Sequence, residues 1–502
     1  MHRWNWITLS DRTTAHGAWW TPSEPDTKYS GTLTFSRDSG GILELTIPDP
    51  PKDFGAHFKD SNVIFGETTD MEKITLAACF TLGRSMVLPA DEKKPSPVGT
   101  WRISTSLAFV GAHFADCEEA ILETASVRYR NLYSWIWMRG INVEFGRGVD
   151  LDLSYRAIPP ETIEIDEDST ITLAVHLESY PMGPDADGAI TLRELPLVSF
   201  HTNTPRSFND LYEEIRCVEA FLSIATMCPC PPLDIWIESP RPEGEANGEA
   251  YHVPVRVLFI SPDSDPSGQS RHPGDFLFSR GSVVERLPDL LRHWVTARRD
   301  LRPMYMLYMA AIGAHPSVEW QFLSLVQAIE AYHKIRHSDV LLSPAFFKST
   351  IVPGLLSSIP EGVPREWREE VTEEGLMRLR SKAEASFMWL NEFALRHRLR
   401  ALFAENSNEI GRFVKDPKAT AEKIVRWRNT FIHTGRFPTS EGSIDENLVD
   451  LTSALRGLME LCFLREMGFT EKERTELVRH NRELRNRFLP RWPRGRERRV
   501  SD

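Results

Sequence analysis

Residues 427–435 read Trp-Arg-Asn-Thr-Phe-Ile-His-Thr-Gly, and three of them suit chemistry on an anion. Arg428 offers a planar, permanently charged fork of N–H donors that can grip two oxygens at once. His433 is of the one residue type that ordinarily exchanges protons near neutral pH. Asn429 both gives and accepts hydrogen bonds. At about 100° per residue on a helical wheel, Ile424, Phe431 and Ile432 fall within about 60° of Arg428, which sets the guanidinium inside an apolar sector. A cation there needs a partner, an interface or a bound anion. Asn429 and His433 lie one turn apart at the edge of that sector, and Gly435 marks the end of the helix just beyond them. The bland account of the same residues is an arginine that reaches the surface along its stem and a histidine that caps a helix C-terminus.

The elements that position these residues are helical. Val318, Phe322, Leu325, Ile329 and Tyr332 make one apolar stripe. Residues 376–404 predict a second helix with Leu376, Leu379, Ala383, Phe387 and Leu390 as its stripe, and residues 417–434 a third. Ser443 and Glu446 form a capping box ahead of Ile444, Leu448, Leu451, Leu455, Leu458 and Cys462; Gly468 stands at a C′ position, and Thr470 with Glu473 repeats the capping signal. An antiparallel bundle follows, with a proline-containing insertion between about 338 and 370.

Before it the pattern is different. From residue 30 to about 200, short alternating runs such as 32–35, 43–47, 74–76, 141–145 and 170–175 predict strands of an antiparallel sandwich or barrel. A helix is expected at 206–225, on Leu211, Ile215, Val218 and Leu222, and strand pattern returns at 253–260. Ser239–Glu249 and Ser261–Asp275 read as loops. The fold class is therefore α+β multidomain: a β-rich domain over 1–280, a helical bundle over 281–490 and a basic tail over 491–502.

At 502 residues the chain exceeds a single core, and with 41% hydrophobic residues it is globular. The net charge of −12 argues against a polyanionic partner, but it is unevenly spread: residues 1–280 hold 23 basic against 41 acidic residues, residues 281–502 hold 36 against 30. The first part repels a polyanion and the second tolerates one. Cys79, Cys117, Cys217, Cys228, Cys230 and Cys462 are scattered, so neither a disulfide framework nor paired zinc knuckles is indicated; Cys228-Pro229-Cys230 reads as packing thiols. No signal-peptide pattern and no run of about 18 apolar residues is seen, so a cytoplasmic protein without a membrane partner is expected.

The Arg428, Asn429, His433 set, late in a bundle helix, resembles the signature of the HEPN ribonucleases. A β-rich acidic region followed by such a bundle is similar in layout to the ApeA-type antiphage HEPN proteins over most of the chain. The resemblance implies RNA cleavage without cofactor or metal, a homodimer that joins two motifs in one composite site, and action against phage, with a phage-derived trigger sensed by the N-terminal domain and tRNA or another structured host RNA as substrate. Within it, His433 would activate a ribose 2′-OH or protonate the leaving oxygen, Arg428 would hold the phosphate, and Asn429 would orient the histidine or a phosphate oxygen. Glu330, in line with Leu323 and Val326, is a supporting carboxylate for Arg428 or His433, and His333 one turn on is a second candidate. Arg426, Arg436, Arg482, Arg485 and Trp492 are candidate RNA contacts; residues 479–499 hold nine Arg and two Glu. From a different class, the chain is read as a non-catalytic dimer whose β domain binds a protein or glycan.

Overall fold

The computed structural model describes residues 12–48, 61–87, 98–115, 120–146, 151–179, 192–238, 244–246, 249–251, 254–261, 271–313, 316–337, 340–411, 413–435 and 446–488. By internal contacts the chain divides into two compact units, Met1–Thr296 and Ala297–Asp502.

The first unit is built on one antiparallel sheet of fourteen strands that runs from Glu161–Glu164 at one end to Phe80–Val87 at the other. Its strands form for the reason that their alternation predicts. In Val98–Thr105, Trp101 and Ile103 are buried while Arg102 faces solvent. Trp19, Leu33, Leu43, Ile64, Ile74, Trp101 and Leu258, from neighbouring strands along more than half of the sheet, meet in one cluster, so that part of the sheet curls around a shared core. Gly66 belongs to this packing, since a Cβ there would lie 2.3 Å from the ring of Trp19. Helix α1 (Phe208–Thr226) is capped by Ser207, whose hydroxyl accepts from Asp210 N at 3.2 Å, and buries Leu211, Ile215, Val218 and Leu222.

Two small hairpins stand apart. One falls in the stretch expected to be loop: Gly244–Ala246 pairs with Glu249–Tyr251. Asn247-Gly248 between them is a strong hairpin dipeptide, outweighed in the sequence reading by the surrounding Pro, Gly and Glu. The other pairs Ile141–Phe145 with Leu151–Tyr155, setting Val143 opposite Leu153 and Phe145 opposite Leu151, with Glu144 opposite Asp152 on the other face. Val143, Phe145, Leu151 and Leu153 are all exposed. Its root is pinned by the buried carboxylate of Glu194, which accepts from Ile141 N (3.0 Å), Gly140 N and the Tyr133 hydroxyl (2.8 Å).

Cys228 and Cys230 lie beside α1, where the Asn131 amide donates to the Cys228 sulfur at 3.2 Å and burial pushes the Cys230 thiol up. Among the described residues no three His, Cys, Asp or Glu converge as metal ligands, and no helix is long and apolar enough to cross a membrane.

Helix α2 (Leu287–Ile312) carries the division between the units. The second unit continues with α3 (Val318–Arg336), α4 (Glu373–Phe387), α5 (Leu395–Glu405), α6 (Pro417–Thr434), α7 (Glu446–Glu466), α8 (Glu471–His480) and α9 (Arg482–Phe488). Its core is α3 against α7, through Phe322, Leu325, Ile329 and Tyr332 on one side and Leu451, Leu455, Leu458 and Cys462 on the other. Two carboxylates of α7 are paired here: Glu460 accepts from the hydroxyl of Tyr308 and from Arg456, Glu466 from the hydroxyl of Tyr332 and from Arg336. Gly468 takes φ +87°, and Thr470 with Glu473 forms the expected reciprocal cap. Ser443 and Ile444 lie outside the described residues, as does the tail beyond 488.

The single helix expected over 376–404 is two. The break at 388–394 centres on Asn391, a buried side chain whose amide donates to Leu342 O and accepts from Leu342 N, both at 2.8 Å. Those bonds to a segment distant in sequence compete with helix continuation. Of the expected stripe only Leu376 is buried, while Leu379 and Leu390 are exposed. The segment 340–370 folds as short helical turns, Pro344–Phe346, Phe347–Ile351, Val352–Ser357 and Arg365–Trp367.

Candidate active site

Helix α6 starts on Asp416, whose carboxylate accepts from Ala419 N at 2.9 Å, with Pro417 in the first position, where its missing N–H costs nothing. It ends on Gly435 at φ +66°, a left-handed conformation that glycine adopts without penalty, and the Gly435 N–H closes on Phe431 O at 2.7 Å. Ala421, Ile424 and Trp427 form its buried stripe against the bundle, where α6 packs on α5 and α7.

Arg428 flanks that stripe. Its side chain is 33% exposed, so the guanidinium lies at the border of the apolar sector and not deep inside it. Ile432, which the wheel places in the same sector, is exposed. The Arg428 Nη1 donates to Asn429 Oδ1 at 3.2 Å, and its Nη2 lies 3.9 Å from Glu330 Oε2 on α3. The latter distance is a Coulombic contact and too long for a hydrogen bond. The structure thus brings Glu330 to Arg428 and ties Asn429 to Arg428. The remaining N–H groups of Arg428 have no partner among the described residues.

His433 is exposed in the last turn, and neither of its ring nitrogens has a partner among the described residues. Arg426, Asn429 and His433 recur at i, i+3 and i+7, so they share one solvent-facing side of the helix. Glu330 and Asn429 thus contact Arg428 from α3 and from α6, and His433 lies on the following turns of α6 toward its C-terminus.

His333 is buried, its ring stacked on His337 (centroids 4.5 Å apart) and edge-on to Phe393. That fits a packing histidine. Arg482 and Arg485 are exposed on α9, which packs on α7 and α8. Arg436 and Trp492 lie outside the described residues. Sequence reading passed over Arg396 and Arg400 on α5, which both hold Glu422 of α6, at 2.8 and 2.7 Å. Their i, i+4 spacing in Arg-His-Arg-Leu-Arg was the available signal of a basic ridge beside α6.

Compared with known families, residues 14–294, more than half of the chain, match a model described as ApeA N-terminal domain 1, and residues 323–473 match one described as Apea-like HEPN. The second match contains Glu330, Arg428, Asn429 and His433. No curated protein and no solved structure matches the chain.

Proposed function

The chain belongs to the ApeA-type HEPN proteins, a family of antiphage defence, and from that premise we propose that it is an endoribonuclease whose reaction centre is Arg428 and His433, completed by the same pair from a second copy. The observation that carries this reading is the state of the two side chains: a guanidinium contacted by Asn429 and Glu330 whose other N–H groups have no partner among the described residues, and an exposed imidazole, on adjoining turns at the end of one helix.

The chemistry follows from what each group can do. His433 takes the proton from a ribose 2′-OH, the 2′-oxygen bonds to phosphorus, the bond from phosphorus to the 5′-oxygen breaks, and the partner's His433 returns a proton to that oxygen. The products are a 2′,3′-cyclic phosphate and a 5′-OH. Arg428 donates to the non-bridging oxygens as negative charge builds on them. Two copies are needed because one imidazole cannot be base and acid in the same step, and a two-fold axis near the end of α6 duplicates both residues. Asn429 keeps the guanidinium turned toward the phosphate. Arg426, together with Arg396 and Arg400 and the arginines 482 and 485, provides charge for the RNA backbone, with a structured host RNA such as tRNA as the expected substrate.

The N-terminal unit is assigned the recognition of a phage-derived trigger. What supports this is the hairpin of strands 141–145 and 151–155, pinned at its root by Glu194 and presenting four exposed apolar side chains.

The test is incubation of the purified protein with total RNA and with single-stranded DNA, with and without EDTA. RNA is expected to be cut and DNA left intact, because the nucleophile is the 2′-OH, and EDTA is expected to change nothing, because proton transfer and a guanidinium suffice. Cleavage of DNA, a requirement for added Mg²⁺ or product ends other than cyclic phosphate would overturn the reading.

A further inference from the structure

We infer that Val340, Leu341, Leu342, Met388, Trp389 and Leu390 form an apolar platform on which a second copy of this chain docks. The platform is a built feature. Asn391, 5% exposed, ties the two segments with both ends of its side-chain amide, its backbone carbonyl accepts from Leu341 N at 2.8 Å, and Val340 bridges to Glu392. Glu392 in turn is held by Lys334 at 2.7 Å and Arg398 at 3.1 Å. Six large apolar residues, with exposures between 37% and 68%, thus lie on two segments fastened to each other.

Area and charge select the occupant. The six residues offer on the order of 600 Å² of apolar surface, the top of the ~300–600 Å² range for the largest patch on an ordinary monomer. Two copies in isologous contact would bury ~1,200 Å², the lower edge of stable interfaces. The hairpin at 141–155 offers on the order of 400 Å² and falls short of that by itself. No charged residue lies among the six, and the flanking Lys334 and Glu392 neutralise each other, so nothing on the platform selects for nucleic acid or an anionic membrane.

Position gives the contact its consequence. Lys334, which anchors the platform, follows Glu330 by one turn on the same face of α3, about 6 Å along the axis, and Glu330 faces Arg428. A copy seated on the platform would therefore stand beside the reaction centre. Docking rests on the platform alone; only its role in completing the site rests on the proposed nuclease reading.

Sedimentation velocity on the full chain tests it, comparing the native sequence with Trp389→Glu/Leu390→Glu and, from the other segment, Leu341→Asp. These residues are exposed, so the fold should tolerate the change, and near-native melting would verify that. The native chain is expected to be dimeric at micromolar concentration, and each platform variant to dissociate with a dissociation constant raised at least about a hundredfold, since a carboxylate would be buried against apolar surface. Met377→Glu, equally exposed but on α4 outside the platform, should leave the dimer intact. Platform variants that dimerise as tightly as the native chain would overturn the proposal. So would a native chain that stays monomeric, including one that instead binds vesicles or a foreign protein through Trp389. RNA cleavage on the same samples keeps the two readings apart: monomeric variants uphold the docking surface whatever their activity, and a monomer with full activity would refute only the composite site.

Discussion

Glu330→Gln isolates the contribution of a carboxylate that never needs to touch substrate. At 3.9 Å from Arg428, the charge pair is worth about 4 kcal/mol at an effective dielectric of ~20 and about 1 kcal/mol in bulk water. Both side chains are partly solvated, 33% and 24% exposed, so the lower end applies, at about 1 kcal/mol. If that energy serves to hold the guanidinium where the phosphate charge develops, its loss should lower single-turnover cleavage about fivefold, since ~1.4 kcal/mol corresponds to tenfold. Removal of a negative charge should meanwhile tighten RNA binding, measurable by fluorescence anisotropy in the His433→Ala background, where no cleavage intervenes. The decisive measurement is the cycle with Arg428→Ala. A carboxylate that acts through Arg428 has nothing left to do once Arg428 is gone, so Glu330→Gln should add no further loss. Fully additive effects would refute the coupling and leave Glu330 a surface helix residue.

Arg428→Ala and His433→Ala should each abolish cleavage while shifting the melting temperature by no more than a few degrees, because neither side chain is buried; retained cleavage in both would sink the assignment. Gly66→Ala should destabilise the N-terminal unit by about 2 kcal/mol or more, since the new Cβ would overlap the Trp19 ring and the sheet must shift; urea unfolding followed by tryptophan fluorescence would show it. His113 is stacked on Phe65 and edge-on to Trp20, and burial lowers its pKa despite the carbonyl of Gly66 at 2.9 Å. The unfolded chain binds the proton more readily, so the N-terminal unit should lose stability as pH falls below about 6.5. Denaturation midpoints at pH 7.5 and 5.5 should differ less in His113→Gln than in the native chain.

Much of the bundle was legible because its cues are local. Asp416 with Pro417, Gly435, and the Thr470/Glu473 pair mark helix ends by hydrogen bonds made within a few residues, and the stripes of α3 and α7 repeat over several turns. What escaped was whatever depends on distant partners. Asn391 reads as an ordinary polar residue until the segment containing Leu342 meets it, and only then does the helix break and leave Leu390 outside. The strands were visible as alternation, yet the curl of a fourteen-stranded sheet depends on pairings far apart in sequence. At the site, the wheel located Arg428, Asn429 and His433 on their faces. It put Arg428 too deep, because a wheel gives direction and not cover: Ile432 in the same sector is exposed and Arg428 is a third exposed.

The hairpin at 141–155 has a consequence for how the protein can change. Val143, Phe145, Leu151 and Leu153 are exposed, so replacing one of them should leave folding nearly untouched, whereas replacing Trp19 or Leu33 opens the core of the sheet. Alternation keeps the two faces independent: a new residue at 143 or 153 alters what is displayed without disturbing Glu144 or Asp152 on the reverse. If the hairpin recognises the trigger as proposed, its display can be rewritten one letter at a time on a frame that holds still, which is the property a lineage needs when the thing to be recognised keeps altering itself.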